Sequence, residues 1–246
     1  MTILDTIAEF AEARALPPEK GVLYVGFSGG ADSTALLLAL HLCRIPVVAI
    51  HFDHGLRGAE AKRDLAWCRA FCDRRTIEFH AQSLDVPAAG RGGDGMEAAA
   101  RRCRLAAWQA LCRSNDAVAL GHHCDDLLET FLLRVLRGGN ASALVGLRPD
   151  RVVAGVRFVR PLLSVRRSAL HANQDTALRR NAVRHELLPG IRAIACGDAG
   201  LARCVEALRD DADYLEAAAT QAEHDVGDRT RDLSALHPAL LGRVLR

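Results

Sequence analysis

Aromatic side chains are scarce: Phe, Trp and Tyr together make up only 4% of the 246 residues. Half of the residues are apolar, so the core is expected to be aliphatic and alanine-rich. No sign of charge dominates; 32 basic and 30 acidic residues leave a formal net charge of +2, which excludes bulk charge as an advertisement for nucleic acid. No apolar run is long enough to span a bilayer. The eight cysteines contain no C-x-x-C pair and match no zinc module. They read as reduced, small hydrophobes of a cytosolic protein. Met1 to Ala15 follow an amphipathic helical pattern with Asp5, Glu9 and Glu12, without the basic and apolar layout of a secretion signal.

What is present is concentrated in a few places. Val22 to Phe27 form a short, β-favouring apolar run that leads directly into Ser28-Gly29-Gly30-Ala31-Asp32-Ser33. Thr34 to Leu42 then continue at helical period. A strand, a glycine turn and a helix start make an anion site, because the first N–H groups of the helix lack partners and the dipole is positive there. Ser28 and Ser33 add hydroxyls, and Asp32 adds a carboxylate suited to magnesium beside a phosphate. No lysine follows Gly30, so this is not a Walker A loop, and the spacing is not the dinucleotide G-x-G-x-x-G.

Further strands are expected at Val47–Phe52, Ile77–His80 and Ala117–Gly121, and a strand or hairpin over Val152–Val159. Helices are expected at Ile3–Ala13, Ala59–Arg74, Glu97–Cys112 and Asp126–Leu136. This alternation predicts an α/β fold with a doubly wound, mostly parallel sheet and ligands at the carboxyl ends of its strands. A boundary near 164–174 separates a nucleotide-binding domain, 1–165, from a small helical appendage, 175–246. In the appendage, Leu201–Val226 reads as one long helix or two short ones, and Leu233–Arg246 as the start of another. Arginine dominates the cations, with clusters such as Arg101-Arg102-Arg104 and Arg179-Arg180-Arg184, while acidic residues gather from Glu206 to Asp232. That asymmetry permits a basic face for a polyanion within a nearly neutral chain.

Polar clusters follow the strands. His51-Phe52-Asp53-His54-Gly55-Leu56-Arg57 offers either a metal site, for which no third ligand is evident, or a cleft lined by Asp53 and His54 with Arg57 on an anion. Gly121-His122-His123-Cys124-Asp125-Asp126 places two histidines and two carboxylates at a helix start, more acid than N-capping needs. Glu129 lies one turn beyond Asp125 and either faces the same cleft or pairs with Arg134. Glu97, Arg101 and Arg104 share one helical face, as a salt-bridge ladder or as a substrate-contacting helix after a glycine loop.

Taken in order, S-G-G-A-D-S, H-F-D-H-G-L-R, E-A-A-A-R-x-x-R, G-H-H-C-D-D-x-x-E-T-F-L-L-R, R-P-L-L and R-N-A-V-R-H-E-L-L-P resemble the tRNA(Ile)-lysidine synthetase family of PP-loop ATP pyrophosphatases over roughly residues 20–190. The resemblance implies ligation of free L-lysine to the wobble cytidine of tRNA(Ile) with a CAU anticodon. The cytidine is first adenylated by ATP, and AMP and pyrophosphate are released. It implies that Ser28, Gly29, Gly30, Ala31, Asp32 and Ser33, with Asp53, His54, Gly121 and His122, bind nucleotide, and that Asp32 holds Mg2+. Asp125 or Asp126 would take the lysine ammonium; Arg101, Arg104 and Arg180 would serve the intermediate; His123, Glu129 and Arg184 would contact substrate. Leu105 and Leu127 stand where the family usually has tyrosine and glutamine, and the chain reads as a short form lacking the usual C-terminal regions. Two other readings are a non-catalytic nucleotide- or tRNA-binding remnant and another PP-loop tRNA-modifying enzyme such as a thiolase, which the missing C-x-x-C disfavours.

Overall fold

The chain begins with helix α1 (Ile3–Ala13), whose start is closed by a capping box between Thr2 and Asp5. Strand β1 (Leu23–Gly26) follows, then helix α2 (Ala31–Leu42), β2 (Val48–Asp53), α3 (Ala59–Asp73), β3 (Glu78–Ser83), α4 (Met96–Leu111) and β4 (Ala117–Ala119). Helices α5 (Cys124–Val135) and α6 (Ala141–Leu144) precede the hairpin β5 (Asp150–Val153) and β6 (Val156–Val159). Helices α7 (Leu188–Ile194) and α8 (Ala199–Val226) are the last elements among the described residues. The computed structural model describes residues 2–55, 59–86, 95–138, 140–166, 188–194, 199–226, 237 and 240. Arg57, Arg180 and Arg184 lie outside the described residues, as do most of the glycine loop expected at 88–95 and nearly all of the helix expected from Leu233.

One six-stranded sheet runs in the order β3-β2-β1-β4-β6-β5. All neighbours are parallel except β5 with β6. The expected doubly wound, mostly parallel α/β architecture is therefore present, with one antiparallel edge strand. That edge turns at Ala154 (φ 50) and Gly155 (φ 82), the pair of positive dihedrals that a two-residue hairpin needs to match strand twist.

Both faces of the sheet are covered, because successive strand residues point to opposite sides. Leu23, Val25 and Phe27 pack with Leu36, Leu37 and Leu40 of α2, Cys68, Phe71 and Cys72 of α3, and Ile7 and Ala11 of α1. Tyr24, Val48, Ile50 and Phe52 pack on the other face with Trp108, Leu105 and Leu111 of α4. The cysteines behave as the composition implies: burial pushes the Cys68 thiol up to about 12 and the Cys72 thiol up to about 11. At those values both remain protonated packing groups at neutral pH.

The chain divides into two compact units, Met1–Asp126 with Arg148–Asn173, and Leu127–Leu147 with Gln174–Arg246. The sheet belongs to the first. In the second, α8 is one continuous helix that packs against α6. Its buried Val205, Ala212 and Ala219 recur at heptad spacing along one stripe.

Candidate active site

β1 lies between β2 and β4, so the windings of the sheet diverge from it in both directions. The crevice beyond the carboxyl ends of β1 and β4 is thus the switch point at which open α/β sheets hold ligands. Two loops face each other there, one after each strand.

The loop after β1 leaves the sheet at Phe27, whose N–H still bonds the Ile50 carbonyl at 2.8 Å. Its two serines brace the turn. Ser33 Oγ donates to the Gly30 carbonyl at 3.0 Å and accepts the Ser28 N–H at 3.3 Å, while Ser28 Oγ accepts the Gly30 N–H at 3.3 Å. The two hydroxyl oxygens lie 3.1 Å apart. Gly29 has φ +83, and a Cβ there would stand 2.9 Å from the buried Cys68 Sγ, so the turn requires glycine. Gly30 is the N-cap of α2 and offers no side-chain cap to the first-turn N–H groups, which suits them to an anion.

The loop after β4 approaches this turn closely. Gly121 packs on the first turn of α2, where a Cβ would lie 3.0 Å from the Asp32 carbonyl. His122 lines the crevice, whereas His123 is wholly buried. His123 Nε2 stands 3.7 Å from Asp32 Oδ2 and 3.5 Å from Asp126 Oδ2. Of the adjacent carboxylates, Asp126 lines the crevice and Asp125 is buried.

These loops enclose a cavity of about 320 Å³. Its polar end holds Ser28, Gly30, Asp32, Ser33 and Gly121, joined by His54 from the end of β2 and Arg104 from α4. Its apolar end is formed by Ile50, Phe52, Trp108 and Leu120. Phe52 and Trp108 meet edge to face with ring centroids 4.9 Å apart, which fixes a flat hydrophobic wall. That wall was absent from the sequence-based site, although Ile50 and Phe52 share one face of β2 and Trp108 is one of only two tryptophans.

Charge at the polar end is tuned by burial. Desolvation and then Arg101 pull the Arg104 guanidinium below its ordinary value. Desolvation and then Arg104 hold the His54 imidazole below the usual histidine range, with Asp53 acting in the opposite sense. The imidazole is therefore neutral near pH 7. His54 Nδ1 is buried and makes no hydrogen bond among the described residues.

Several expected residues stand outside this cavity. Asp53 Oδ1 accepts the Gly55 N–H at 2.9 Å and closes a local turn, and Arg101 is exposed on α4 away from the lining. Gly29 and Ala31 shape the turn without lining it. Glu129 is fully buried and belongs to the second unit. His51 Nδ1 lies 2.9 Å from the Phe27 carbonyl, a structural tie between β2 and the turn. Among the described residues no group of three or more His, Cys, Asp or Glu side chains is arranged to hold a metal ion. Asp32, with about a third of its side chain exposed at 32%, still fits Mg2+, which commonly takes one or two carboxylates and completes its oxygen shell with phosphate and water.

The family model for the PP-loop domain matches residues 3–191. The tRNA(Ile)-lysidine synthase of Geobacillus kaustophilus is 33% identical over 211 residues, 77% of this chain and 46% of that protein. The tRNA(Ile)-lysidine synthase of Chromobacterium violaceum is 38% identical over 219 residues, 80% of this chain and 49% of that protein. The chain thus spans about half the length of these curated relatives. Among solved structures, the U34-tRNA thiolase NcsA from Methanococcus maripaludis shares the fold, with a TM-score of 0.61 at 16% identity over 82% of this chain and 79% of that one. With the Ser28–Ser33 turn at the switch point of the sheet and the family match covering most of its length, the chain belongs to the PP-loop family of ATP-binding domains.

Proposed function

We propose that the chain carries an ATP-dependent tRNA modification: ligation of lysine to the wobble cytidine of isoleucine tRNA with a CAU anticodon. The observation that carries this reading is the convergence of the Ser28–Ser33 turn, Arg104 and Asp126 on one cavity with an apolar end. Relatives named tRNA(Ile)-lysidine synthase support the choice of tRNA as acceptor.

In this reading the adenine lies against Phe52 and Trp108, and the phosphates lie against the amides of the Ser28–Ser33 turn. Oxygen 2 of the cytidine attacks the α-phosphorus of ATP, the bond to the β-phosphate oxygen breaks, and pyrophosphate leaves. The neutral ε-amine of lysine then attacks carbon 2, loses a proton, and displaces AMP. Arg104 offsets negative charge on the adenylated intermediate. Asp126, the partly exposed member of the aspartate pair, attracts the lysine ammonium and accepts its proton, whereas Asp125 is buried. Asp32 would hold Mg2+, which when bound supplies neutralising charge for the leaving pyrophosphate. In the same reading Arg180 serves the intermediate, Arg184 contacts substrate, and the stretch 175–246 contacts tRNA. A tRNA substrate also implies a cytosolic protein.

The test is incubation of the chain with ATP, Mg2+, labelled lysine and a tRNA(Ile) transcript carrying CAU. Lysine incorporation with stoichiometric AMP is the expected result. AMP formation without incorporation would remove lysine as the attacking amine, and nucleotide binding with no AMP would favour the non-catalytic remnant.

A further inference from the structure

His123 immediately precedes α5 and serves as its cap through an unusual pairing. Its Nδ1 accepts the Asp126 N–H at 3.3 Å, and Asp126 Oδ2 accepts the His123 N–H at 3.0 Å. This is the reciprocal arrangement that Thr2 and Asp5 make at α1, with an imidazole in place of a hydroxyl. One consequence is chemical. A ring nitrogen that accepts a hydrogen bond carries no proton, so in the neutral imidazole the proton sits on Nε2.

Nε2 is buried and makes no hydrogen bond of ordinary length among the described residues. Two carboxylate oxygens stand in front of it, Asp32 Oδ2 at 3.7 Å and Asp126 Oδ2 at 3.5 Å. Asp32 lies in the first turn of α2 and Asp126 in the first turn of α5. The two helices follow β1 and β4, strands that are neighbours in the sheet. A single buried donor therefore faces one carboxylate from each loop of the crevice.

We propose that His123 is a positioning residue: its cap bond locks the Nε2–H tautomer, and that N–H holds the Asp32 and Asp126 carboxylates in register across the crevice. It touches no substrate, since its side chain has no exposed surface. At 3.7 Å and 3.5 Å the contacts are longer than full hydrogen bonds, so the buried N–H acts by attracting both carboxylates at once. The proposal rests on the reading of Asp32 as the group that holds Mg2+ beside the phosphates.

Capping and bridging are separable by substitution. In His123→Asn the side-chain oxygen accepts the Asp126 N–H as an ordinary N-cap but is too short to reach Asp32; His123→Ala loses both contacts. The Asn variant should melt above the Ala variant, and both should need on the order of 10-fold more Mg2+ for half-maximal AMP release, as for lost outer-shell partners. A wild-type Mg2+ requirement in His123→Asn would overturn the bridge. Histidine-selective 15N spectra of the whole chain give a readout that does not depend on turnover. An unprotonated Nδ1, a protonated Nε2 and displacement of the Nε2 resonance in Asp32→Asn are expected. A protonated Nδ1, or an Nε2 resonance indifferent to Asp32→Asn, would also overturn it. Absence of AMP release by the wild type would count against the proposed function alone, and the spectra would then decide the bridge.

Discussion

Gly121 and Asp32 touch across the crevice so closely that a methyl group on Gly121 would lie 3.0 Å from the Asp32 carbonyl carbon and oxygen. The atoms it would meet are backbone, in the first turn of a helix, so they cannot swing aside. Gly121→Ala should therefore displace the Ser28–Ser33 turn, which the proposed function places against the phosphates. The expected result is a stability loss of about 1–3 kcal/mol, typical of overpacking, with a larger proportional fall in AMP formation. Chemical denaturation and AMP assays on the same preparation check both, and undiminished turnover would contradict the close approach.

Gly29 and Gly30 look alike in sequence but differ in constraint. Gly29 combines φ +83 with a Cβ position 2.9 Å from Cys68 Sγ, whereas a Cβ on Gly30 would meet only Ser28 Oγ at 3.4 Å. Gly29→Ala should cost about 1–3 kcal/mol through strain and overlap, while Gly30→Ala should leave the thermal midpoint nearly unchanged. Equal midpoints for the two variants would refute this ordering.

Asp32→Ala should abolish AMP formation and keep the fold, since the side chain is partly exposed at the cavity mouth. If Asp32 holds Mg2+ as proposed, its loss removes several kcal/mol of transition-state stabilisation, a fall of roughly 100-fold or more. Circular dichroism verifies the fold, and near-normal turnover would remove Asp32 from the phosphate–magnesium role.

His54 gives the stability a pH dependence with a definite sign. Its folded value is held below the ordinary 6.5 by burial and by Arg104, so between the two values the unfolded chain binds more protons than the folded one. Stability thus rises with pH toward 6.5 and is lost as pH falls through the depressed value. His54→Gln removes this contribution. Between about pH 7.5 and pH 5 the wild type should lose more of its melting temperature than the variant; equal losses would rule out the depressed imidazole.

Asp116 offers a control away from the crevice. Its buried carboxylate accepts the Val22 N–H at 2.8 Å and the Arg113 N–H at 2.7 Å, which ties the start of β1 to the segment before β4. Asp116→Ala should cost about 3 kcal/mol, because two donors lose a charged acceptor. The Michaelis constant for ATP should stay unchanged at temperatures where the variant is folded.

Much of the architecture was legible because it is local. The strand–turn–helix at Leu23–Leu42 and the helix at Ile3–Ala13 follow from neighbours a few residues apart, and of the strand or hairpin expected over Val152–Val159 the hairpin formed. The short helices Ala141–Leu144 and Leu188–Ile194 had no such signal, since one or two turns are too few to display a period. Equivalent residue types also divided in ways that spacing does not reveal. Asp126 rather than Asp125, and Arg104 rather than Arg101, face the cavity.

The sequence by itself determined which groups were available: a glycine turn braced by serines, paired histidines and aspartates, and arginines on one helix face, each encoded by near neighbours along the chain. Only the tertiary structure decided how they meet. β1 pairs with β4 across more than ninety residues, and that non-local pairing brings Gly121 onto the turn of Asp32. It also buries His123 beside two carboxylates, while the packing of Trp108 on Phe52 of β2 forms the apolar end of the cavity. Strand order and burial are cooperative properties of the packed sheet, so no window of sequence contains them.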